Sequence, residues 1–224
     1  MEVVPDLSRM RRDYQTRGLR EDDLAPTWVE QFDRWFADAV AAELPEPNAV
    51  VVATADADGV PDARIVLVKG YDELGFVFAT SYASAKGAQL AVNPRAALVF
   101  PWHALQRQVR VEGSASRLSE AENDAYFAGR PRDSQLGAWA SPQSTVVESR
   151  EKLEQRYAEV AARFADGPVP RPPYWGGFRI RPDTFEFWQG RRGRLHDRFR
   201  YRRAVPLADR PLSDRPWLIE RLGP

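Results

Sequence analysis

The chain has 224 residues, of which 43% are hydrophobic and 29% charged, and its 32 basic and 32 acidic residues balance to zero net charge. This composition is typical of a globular protein of one large or two small domains, and it favours neither a nucleic acid nor a membrane as partner. With no cysteine and two histidines, the sequence excludes disulfides, iron–sulfur clusters and thiol nucleophiles, and we expect no metal site.

The N-terminal region carries one clear helix signal and no targeting signal. Its first residues lack the basic and apolar regions of a signal peptide, and no stretch of about 18 apolar residues follows, so we expect a cytoplasmic protein. Thr27 and Glu30 have the spacing of a capping box and predict a helix that ends before Pro45. The predicted apolar face of this helix consists of Phe32, Trp35, Phe36, Ala39 and Val40.

After this helix the sequence takes on the pattern of short β-strands separated by turns. The turn signals at 58–59 and 72–75 predict an antiparallel meander. A helix is predicted over 84–92, ended by Asn93 and Pro94. The predicted strands are 49–54, 63–69, 76–80, 96–100 and 106–113.

Two further helices are predicted next. Ser119 and Glu122 form a second capping box, for a helix that reaches about Gly129. Pro131 is suited to start a short helix, because proline is tolerated in a first helical turn.

The last third of the chain predicts a long helix and a return to the sheet. Thr145 and Glu148 predict the helix start, and the proline-rich loop 167–173 leads into aromatic, strand-forming sequence. The predicted apolar face of the helix is Leu153, Tyr157, Val160, Ala161 and Phe164. The fold class that follows is a mainly β barrel with flanking helices, in which an N-terminal segment, 1–26, precedes a single domain, 27–224.

Residues 187–198 combine aromatic side chains with a cluster of guanidinium groups. Trp188 stands near Arg194, His196 and Arg198 in the sequence. Arginine can stack on a heteroaromatic ring and can also bind a phosphate through two parallel hydrogen bonds, so this segment suits a flat anionic ligand. A β-strand followed by an arginine-rich, solvated turn explains the same pattern without a ligand.

Two further groups are candidates for binding an anion. Tyr126, Arg130 and Ser134 follow one another at intervals of four, which places them on one helical face, even allowing for a proline between them, and suits a phosphate. The alternative is an amphipathic helix with Tyr126 half-buried and Arg130 in water. Lys86 stands at a predicted helix start, where backbone N–H groups and an ammonium attract anions.

Arg64 and Lys69 lie five residues apart on one predicted strand, so they face opposite sides of it if the strand is regular. They can serve one site only if the strand bulges or if Lys69 lies past its end. Gly70 allows either.

These segments, taken in order, resemble the pyridoxamine 5'-phosphate oxidase family. The resemblance is carried by residues 11–14, 64–69, 100–102, 107–109, 130–139, 175–177, 187–190 and 194–198. It implies an FMN-binding split β-barrel that forms a homodimer with FMN at the subunit interface. It also implies oxidation of pyridoxamine 5'-phosphate and pyridoxine 5'-phosphate to pyridoxal 5'-phosphate, with O2 as acceptor, H2O2 as product and ammonia released from the amine.

The resemblance also assigns residues. Cofactor-binding roles fall on Arg64, Lys69, Thr80, Lys86, Gln108, Gln143, Ser144, Trp188 and Arg198. Substrate-binding roles fall on Arg11, Tyr14, Lys69, Tyr126, Arg130, Ser134, Arg194 and His196. Arg194 and His196 would be catalytic, placed over the pyridine ring, and residues 1–26 would form a partly mobile lid that covers the substrate.

Two positions depart from the commoner family pattern, and two rival functions are left open. Ala79 stands where a tyrosine is frequent and Ala85 where an arginine is frequent, so one phosphate contact is missing and the expected FMN affinity is in question.

The rival functions are a related FMN oxidoreductase acting on a phenazine precursor or linked to F420, and a non-catalytic carrier of FMN or pyridoxal phosphate. The sequence leaves open whether His196 exchanges a proton or only positions the ring.

Overall fold

The computed structural model describes residues 6, 10, 13–203 and 217–224. Its helices within these ranges are α1 Trp28–Ala41, α2 Ala85–Val92, α3 Glu120–Ala128, α4 Arg132–Ala140 and α5 Arg150–Arg163. Its strands are β1 Ala49–Ala55, β2 Pro61–Asp72, β3 Gly75–Ser81, β4 Arg95–Trp102, β5 Arg107–Arg117, β6 Trp175–Gln189, β7 Asp197–Arg203 and β8 Trp217–Leu222.

The described strands form one sheet in the order β3-β2-β1-β4-β5-β6-β7-β8. Strand β3 also pairs with β6, from Phe76 opposite Ile180 to Ser81 opposite Trp175, and this pairing closes β1 to β6 into a six-stranded barrel. Strands β7 and β8 continue the sheet beyond β6. The predicted class, a mainly β barrel with flanking helices, is therefore confirmed, and the C-terminal strands rejoin the same sheet as predicted.

The chain divides into two compact units. Unit 1 comprises Met1–Pro47, Phe100–Arg110 and Thr184–Pro224, and unit 2 comprises Asn48–Val99 and Val111–Asp183. The single domain spanning 27–224 stays a prediction.

An aromatic core holds α1 in unit 1. Trp28 stacks on Phe185 with ring centroids 4.5 Å apart, and Trp35 meets Phe187 edge-on at 5.2 Å. Such pairs add about 0.5 to 1.5 kcal/mol each to the gain from burying their area. The predicted apolar face is wrong at Val40, which is 54% exposed.

Side-chain caps fix where the helices begin. The predicted starts of α1, α2 and α3 are correct, with the caps Thr27, Ser84 and Ser119 each accepting a backbone N–H. The predicted start of α5 is wrong, because the Thr145 hydroxyl donates to the Pro142 carbonyl and Ser149 caps the helix instead. Within the described ranges, every helix is too short or too polar to cross a bilayer.

Strand β2 contains a bulge at Lys69. Val68 pairs with Phe78 and Gly70 with Val77, so Lys69 is an extra residue without a partner position on β3. The strand continues to Asp72, which means that Lys69 does not lie past its end. Of the two solutions left open by the sequence, the bulge is the correct one.

We predict that the closure of the barrel depends on Gly75. Its φ is +127°, and a Cβ at this position would lie 2.0 Å from the carbonyl oxygen of Ile180 on β6. Gly75→Ala should therefore cost about 1 to 3 kcal/mol for overpacking, in addition to about 1 to 2 kcal/mol for the positive φ. Denaturant unfolding measures the loss.

Gly59→Ala is the matched control, because Gly59 has a φ of +80° and open space around its Cβ position. Gly59→Ala should lose only the stability that the positive φ costs, without the loss from overpacking. Equal losses of stability in the two variants would contradict the role of the close approach between β3 and β6.

Candidate functional site

A chain of polar side chains surrounds Lys86 in unit 2. Lys86 lies in the first turn of α2 and is only 7% exposed. Its Nζ donates to the hydroxyls of Thr80 at 3.2 Å and of Ser84 at 3.5 Å, and the Thr80 hydroxyl donates to Gln143 Oε1 at 2.9 Å. The structure thus brings together Thr80, Lys86 and Gln143, three of the residues to which the family resemblance assigns a cofactor-binding role.

The ammonium of Lys86 is buried and forms no ion pair with a carboxylate of the described residues. Burial, and then the nearby charge of Arg64, lowers the pKa of Lys86 below its ordinary value. Arg64 forms an ion pair with Asp62 and donates to the Thr54 hydroxyl at 2.6 Å, whereas Lys86 forms no ion pair with any residue that the structure describes. A desolvated cation held by hydroxyl groups is suited to bind an anion.

Backbone strain accompanies this cluster at Ser144. The residue follows Gln143 with a φ of +68°, in the left-handed region that side chains other than glycine seldom adopt. A cleft of about 360 Å³ opens beside Gln143 and is also lined by Ser81 and Arg156. Strained residues of this kind are common at ligand sites.

A second cation of unit 2, Arg130, lies on an aromatic platform. The guanidinium carbon of Arg130 is 4.4 Å from the ring centroid of Trp175, and the ring of Tyr126 stacks parallel to Trp175 at 5.9 Å. Nη1 of Arg130 is buried and has no hydrogen-bond partner among the described residues. Burial lowers the pKa of Arg130 and raises that of Tyr126. An oriented guanidinium nitrogen without an acceptor is the second candidate for binding an anion.

The structure distributes the trio, which the sequence places at intervals of four, over two helices and the link between them. Tyr126 lies in α3, Arg130 in the link that follows it, and Ser134, which is exposed, in the first turn of α4. Tyr126 and Arg130 are brought together through Trp175, a residue to which the sequence assigned no role. Lys69 is exposed at the bulge of β2.

Three rings form a cluster in unit 1, which we call the ring cluster: Tyr14, Trp188 and His196. The rings of Trp188 and His196 are 4.5 Å apart, and that of Tyr14 lies 6.1 Å from Trp188 and 5.9 Å from His196. The family resemblance assigned Trp188 to the cofactor and Tyr14 and His196 to the substrate, and the structure places the three rings close together. Arg11, predicted to accompany Tyr14, lies outside the described residues.

The protonation state of His196 follows from its hydrogen bond. The backbone N–H of Arg191 donates to His196 Nδ1 at 3.1 Å, so this nitrogen is the acceptor and the proton of the neutral ring is on Nε2. Burial, and then the charge of Arg194, lowers the pKa of His196, while Asp197 opposes the shift. His196 is therefore neutral at pH 7 and presents an Nε2–H donor. Arg194 is exposed and has a φ of +64°.

Strand pairing places Trp188 and Arg198 side by side in unit 1. They are direct partners in the β6–β7 ladder, so their side chains share one face of the sheet. Glu186 accepts from Nε and Nη2 of Arg198 at 2.8 and 3.1 Å, which raises the pKa of Arg198 and fixes its guanidinium. Gln108 lies half-buried in β5. No role was predicted for Glu186, although its spacing of two from Trp188 on a strand is a usable signal.

Comparison with known families identifies the chain. A protein-family model described as pyridoxamine 5'-phosphate oxidase matches residues 36–164. A second family model, described as the pyridoxine 5'-phosphate oxidase C-terminal dimerisation region, matches residues 175–224. The chain belongs to the pyridoxamine 5'-phosphate oxidase family.

Relatives and solved structures agree with membership of the pyridoxamine 5'-phosphate oxidase family. The chain is 59% identical over 201 residues to the pyridoxine/pyridoxamine 5'-phosphate oxidase of Rubrobacter xylanophilus, covering 90% of this chain and 93% of the relative. It is 55% identical to that of Salinispora arenicola, covering 100% and 98%. PhzG from Burkholderia lata, solved with tetrahydrophenazine-1-carboxylic acid, has a TM-score of 0.81 and 32% identity, covering 91% of this chain and 95% of PhzG.

We predict that an anion stabilises this member of the pyridoxamine 5'-phosphate oxidase family through Lys86. Lys86→Met removes a buried charge, so the variant should be at least as stable as the parent in phosphate-free buffer. Inorganic phosphate should raise the melting temperature of the parent protein more than that of the variant, because binding to the folded state stabilises it. Thermal unfolding over a phosphate series gives the comparison.

Lys152→Met provides the control, since Lys152 is an exposed residue of α5 whose side chain donates only to Gln155 among the described residues. It should retain the full response to phosphate. An undiminished response in Lys86→Met would show that Lys86 does not bind the anion.

Proposed function

We propose that this chain is an FMN-dependent oxidase that converts pyridoxine 5'-phosphate and pyridoxamine 5'-phosphate to pyridoxal 5'-phosphate, with O2 as the electron acceptor and H2O2 as product. The observation that carries the proposal is the presence of two cations, the buried Lys86 and the half-buried Arg130, that form no ion pair within the described part of the chain. FMN and the substrate each carry one phosphate. Two separate anion sites are what such a pair of ligands requires.

The relatives support this substrate class over the alternatives. Identities of 55 to 59% over nearly the full chain connect it to proteins named pyridoxine/pyridoxamine 5'-phosphate oxidase, whereas identity to the phenazine-binding PhzG is 32%. No described contact favours a phenazine precursor or an F420-linked reaction.

The residues around Lys86 fit the phosphate end of FMN. Lys86, Thr80 and Gln143 offer an ammonium, a hydroxyl and an amide in one connected chain, with Arg64 contributing a second positive charge. We assign Ser144 to this group, and Gln108, Trp188 and Arg198 to the flavin ring. When bound, FMN supplies the hydride acceptor, and O2 regenerates it.

The remaining residues bind and orient the substrate. Arg130 and Tyr126 would hold its phosphate, together with Lys69 and Ser134. Tyr14, Arg194 and His196 would hold the pyridine ring, with Arg11 in the covering segment. Because His196 Nδ1 already accepts from Arg191, the ring of His196 can donate from Nε2 to a substrate oxygen, and this favours a positioning role over that of a general base.

We also propose a homodimer. Residues 175–224, which include β6, β7 and β8, match the C-terminal dimerisation region of the family. Trp188, Arg194, His196 and Arg198 all lie in this region, so dimerisation and ligand binding would use the same part of the chain.

The direct test is to purify the protein with FMN and to add pyridoxine 5'-phosphate or pyridoxamine 5'-phosphate in air. We expect a flavin absorbance that persists through dialysis, and formation of pyridoxal 5'-phosphate with an equal amount of H2O2. Retained flavin without oxygen consumption would indicate a carrier. Turnover of a dihydrophenazine carboxylate but of neither B6 phosphate would indicate the rival oxidoreductase.

Arg130 should determine the requirement for a phosphorylated substrate. Arg130→Met removes a charge-assisted hydrogen bond worth about 1.5 to 3 kcal/mol, so KM for pyridoxine 5'-phosphate should rise about 10-fold to 100-fold. We expect kcat to change little, because the phosphate is remote from the reacting carbon. Steady-state kinetics at saturating FMN measures both constants.

Arg132→Met is the neighbouring control. Arg132 donates to the carbonyl oxygens of Gly167 and Phe164 and is exposed, so its replacement should leave KM unaltered. An unchanged KM in Arg130→Met would reject the phosphate assignment of Arg130.

A further inference from the structure

A buried carboxylate, Asp197, connects three segments of unit 1 beside the ring cluster. Its Oδ2 accepts from the backbone N–H of Leu19 at 3.0 Å and from Nη1 of Arg191 at 3.1 Å. Its Oδ1 accepts from Nη1 of Arg221 at 2.9 Å. The residue is 8% exposed, so the loss of any of these partners would leave a buried polar group unsatisfied.

These donors keep Asp197 ionised. Burial by itself raises the pKa of a carboxyl group, but the hydrogen bonds from Leu19 and Arg221 and the charge of Arg191 outweigh it and hold the pKa of Asp197 below its ordinary value. Arg221 also forms two hydrogen bonds with Glu21, at 2.6 and 3.0 Å. Asp197 therefore carries its charge throughout the neutral range.

Through Leu19, Asp197 fixes the segment that carries Tyr14. Gly18 has a φ of +88°, and a Cβ there would lie 1.9 Å from Nη1 of Arg191 and 2.7 Å from Oδ2 of Asp197. The Thr16 hydroxyl donates to the carbonyl oxygen of Gly190 at 2.6 Å. The segment is thus held at two points close to Tyr14, which lies in the ring cluster.

Through Arg191, the same carboxylate acts on His196. The Arg191 side chain donates to Asp197, and its backbone N–H donates to His196 Nδ1. A carboxylate that fixes Arg191 therefore also fixes the hydrogen bond that selects the Nε2–H tautomer of His196.

We propose that Asp197 is a positioning residue, which holds Tyr14 in place through Leu19 and holds His196 as its Nε2–H tautomer through Arg191. The inference deepens the proposed function and rests on it, because Tyr14 and His196 are residues to which we assign the pyridine ring of the substrate. Oriented groups of this kind contribute to rate by fixing the reacting geometry in advance.

The main test compares Asp197→Asn with Glu220→Gln. The first variant keeps the shape of the side chain and removes its charge. The second removes the charge of a carboxylate that also bridges two arginines in unit 1, Arg200 and Arg202. We expect faster hydrogen exchange of the amides of residues 14–19 in Asp197→Asn only. Turnover of pyridoxine 5'-phosphate, expressed per bound FMN, should fall about 10-fold to 100-fold in Asp197→Asn and stay near that of the parent in Glu220→Gln.

The tautomer of His196 can be read directly. The chain has two histidines, so in a His103→Gln background His196 is the only imidazole. We expect nitrogen-15 NMR to show a protonated Nε2 and an unprotonated Nδ1 in the parent, and a mixture of tautomers when Asp197→Asn is added. If Asp197→Asn does not fold, Gly18→Ala perturbs the same contacts with the carboxylate in place, and the same changes are expected.

Two results would overturn the inference: a protonated Nδ1 in the parent, or a tautomer and an exchange rate that do not respond to Asp197→Asn or to Gly18→Ala. Both measurements are made without substrate. If the parent protein oxidised neither pyridoxine 5'-phosphate nor pyridoxamine 5'-phosphate, the proposed function would be wrong. The hydrogen-exchange and NMR results would still decide the role of Asp197 independently.

Discussion

The pairing of β3 with β6 is the constraint on which the rest of unit 2 depends. It closes the barrel and places Thr80 opposite Gly176 and Ser81 opposite Trp175. Thr80 begins the polar chain to Lys86 and Gln143, and Trp175 is the platform for Arg130 and Tyr126. One backbone pairing therefore sets the positions of both candidate anion sites. Each site wholly or partly buries a cation that forms no ion pair with any described residue. Such burial costs free energy in the absence of a ligand, which is consistent with sites selected for binding rather than for stability.

Much of the fold could be predicted from the sequence because its signals are local. Serine or threonine followed three residues later by glutamate marked the starts of α1 and α3, since an N-cap needs only its own turn of helix. The same reasoning failed at α5, where Thr145 donates to a nearby carbonyl and Ser149 is the cap. Thr145 and Ser149 can both cap a helix. Which of them does so depends on the path of the loop that precedes α5. The prediction that Val40 belongs to the apolar face of α1 was wrong for a related reason. The width of a buried helix face depends on the elements that pack against it.

The candidate site was predicted mainly through family resemblance, and the structure adds what spacing alone could not supply. The interval of four between Tyr126 and Arg130 identified two residues that do come together, yet they meet through Trp175 and not along one helix. The parity conflict between Arg64 and Lys69 was visible in the sequence, but only the register of β2 against β3 decided between a bulge and a strand end. Asp197 and Glu186 were given no role because hydrogen-bond partners such as Leu19 and Arg198 lie on other segments of the chain. The spacing of two between Glu186 and Trp188 indicates a shared strand face but not these partners.

The bulge at Lys69 has a consequence for how this family member can vary. Pairing is in phase on both sides of the bulge, with Val68 opposite Phe78 and Gly70 opposite Val77, so removal of this one residue would leave an uninterrupted ladder. The barrel wall therefore does not require the extra position. A chain that lacked Lys69 would keep the register of β2 against β3 and lose only the ammonium group. Variation among relatives at this position can therefore change the length of β2 as well as the type of residue.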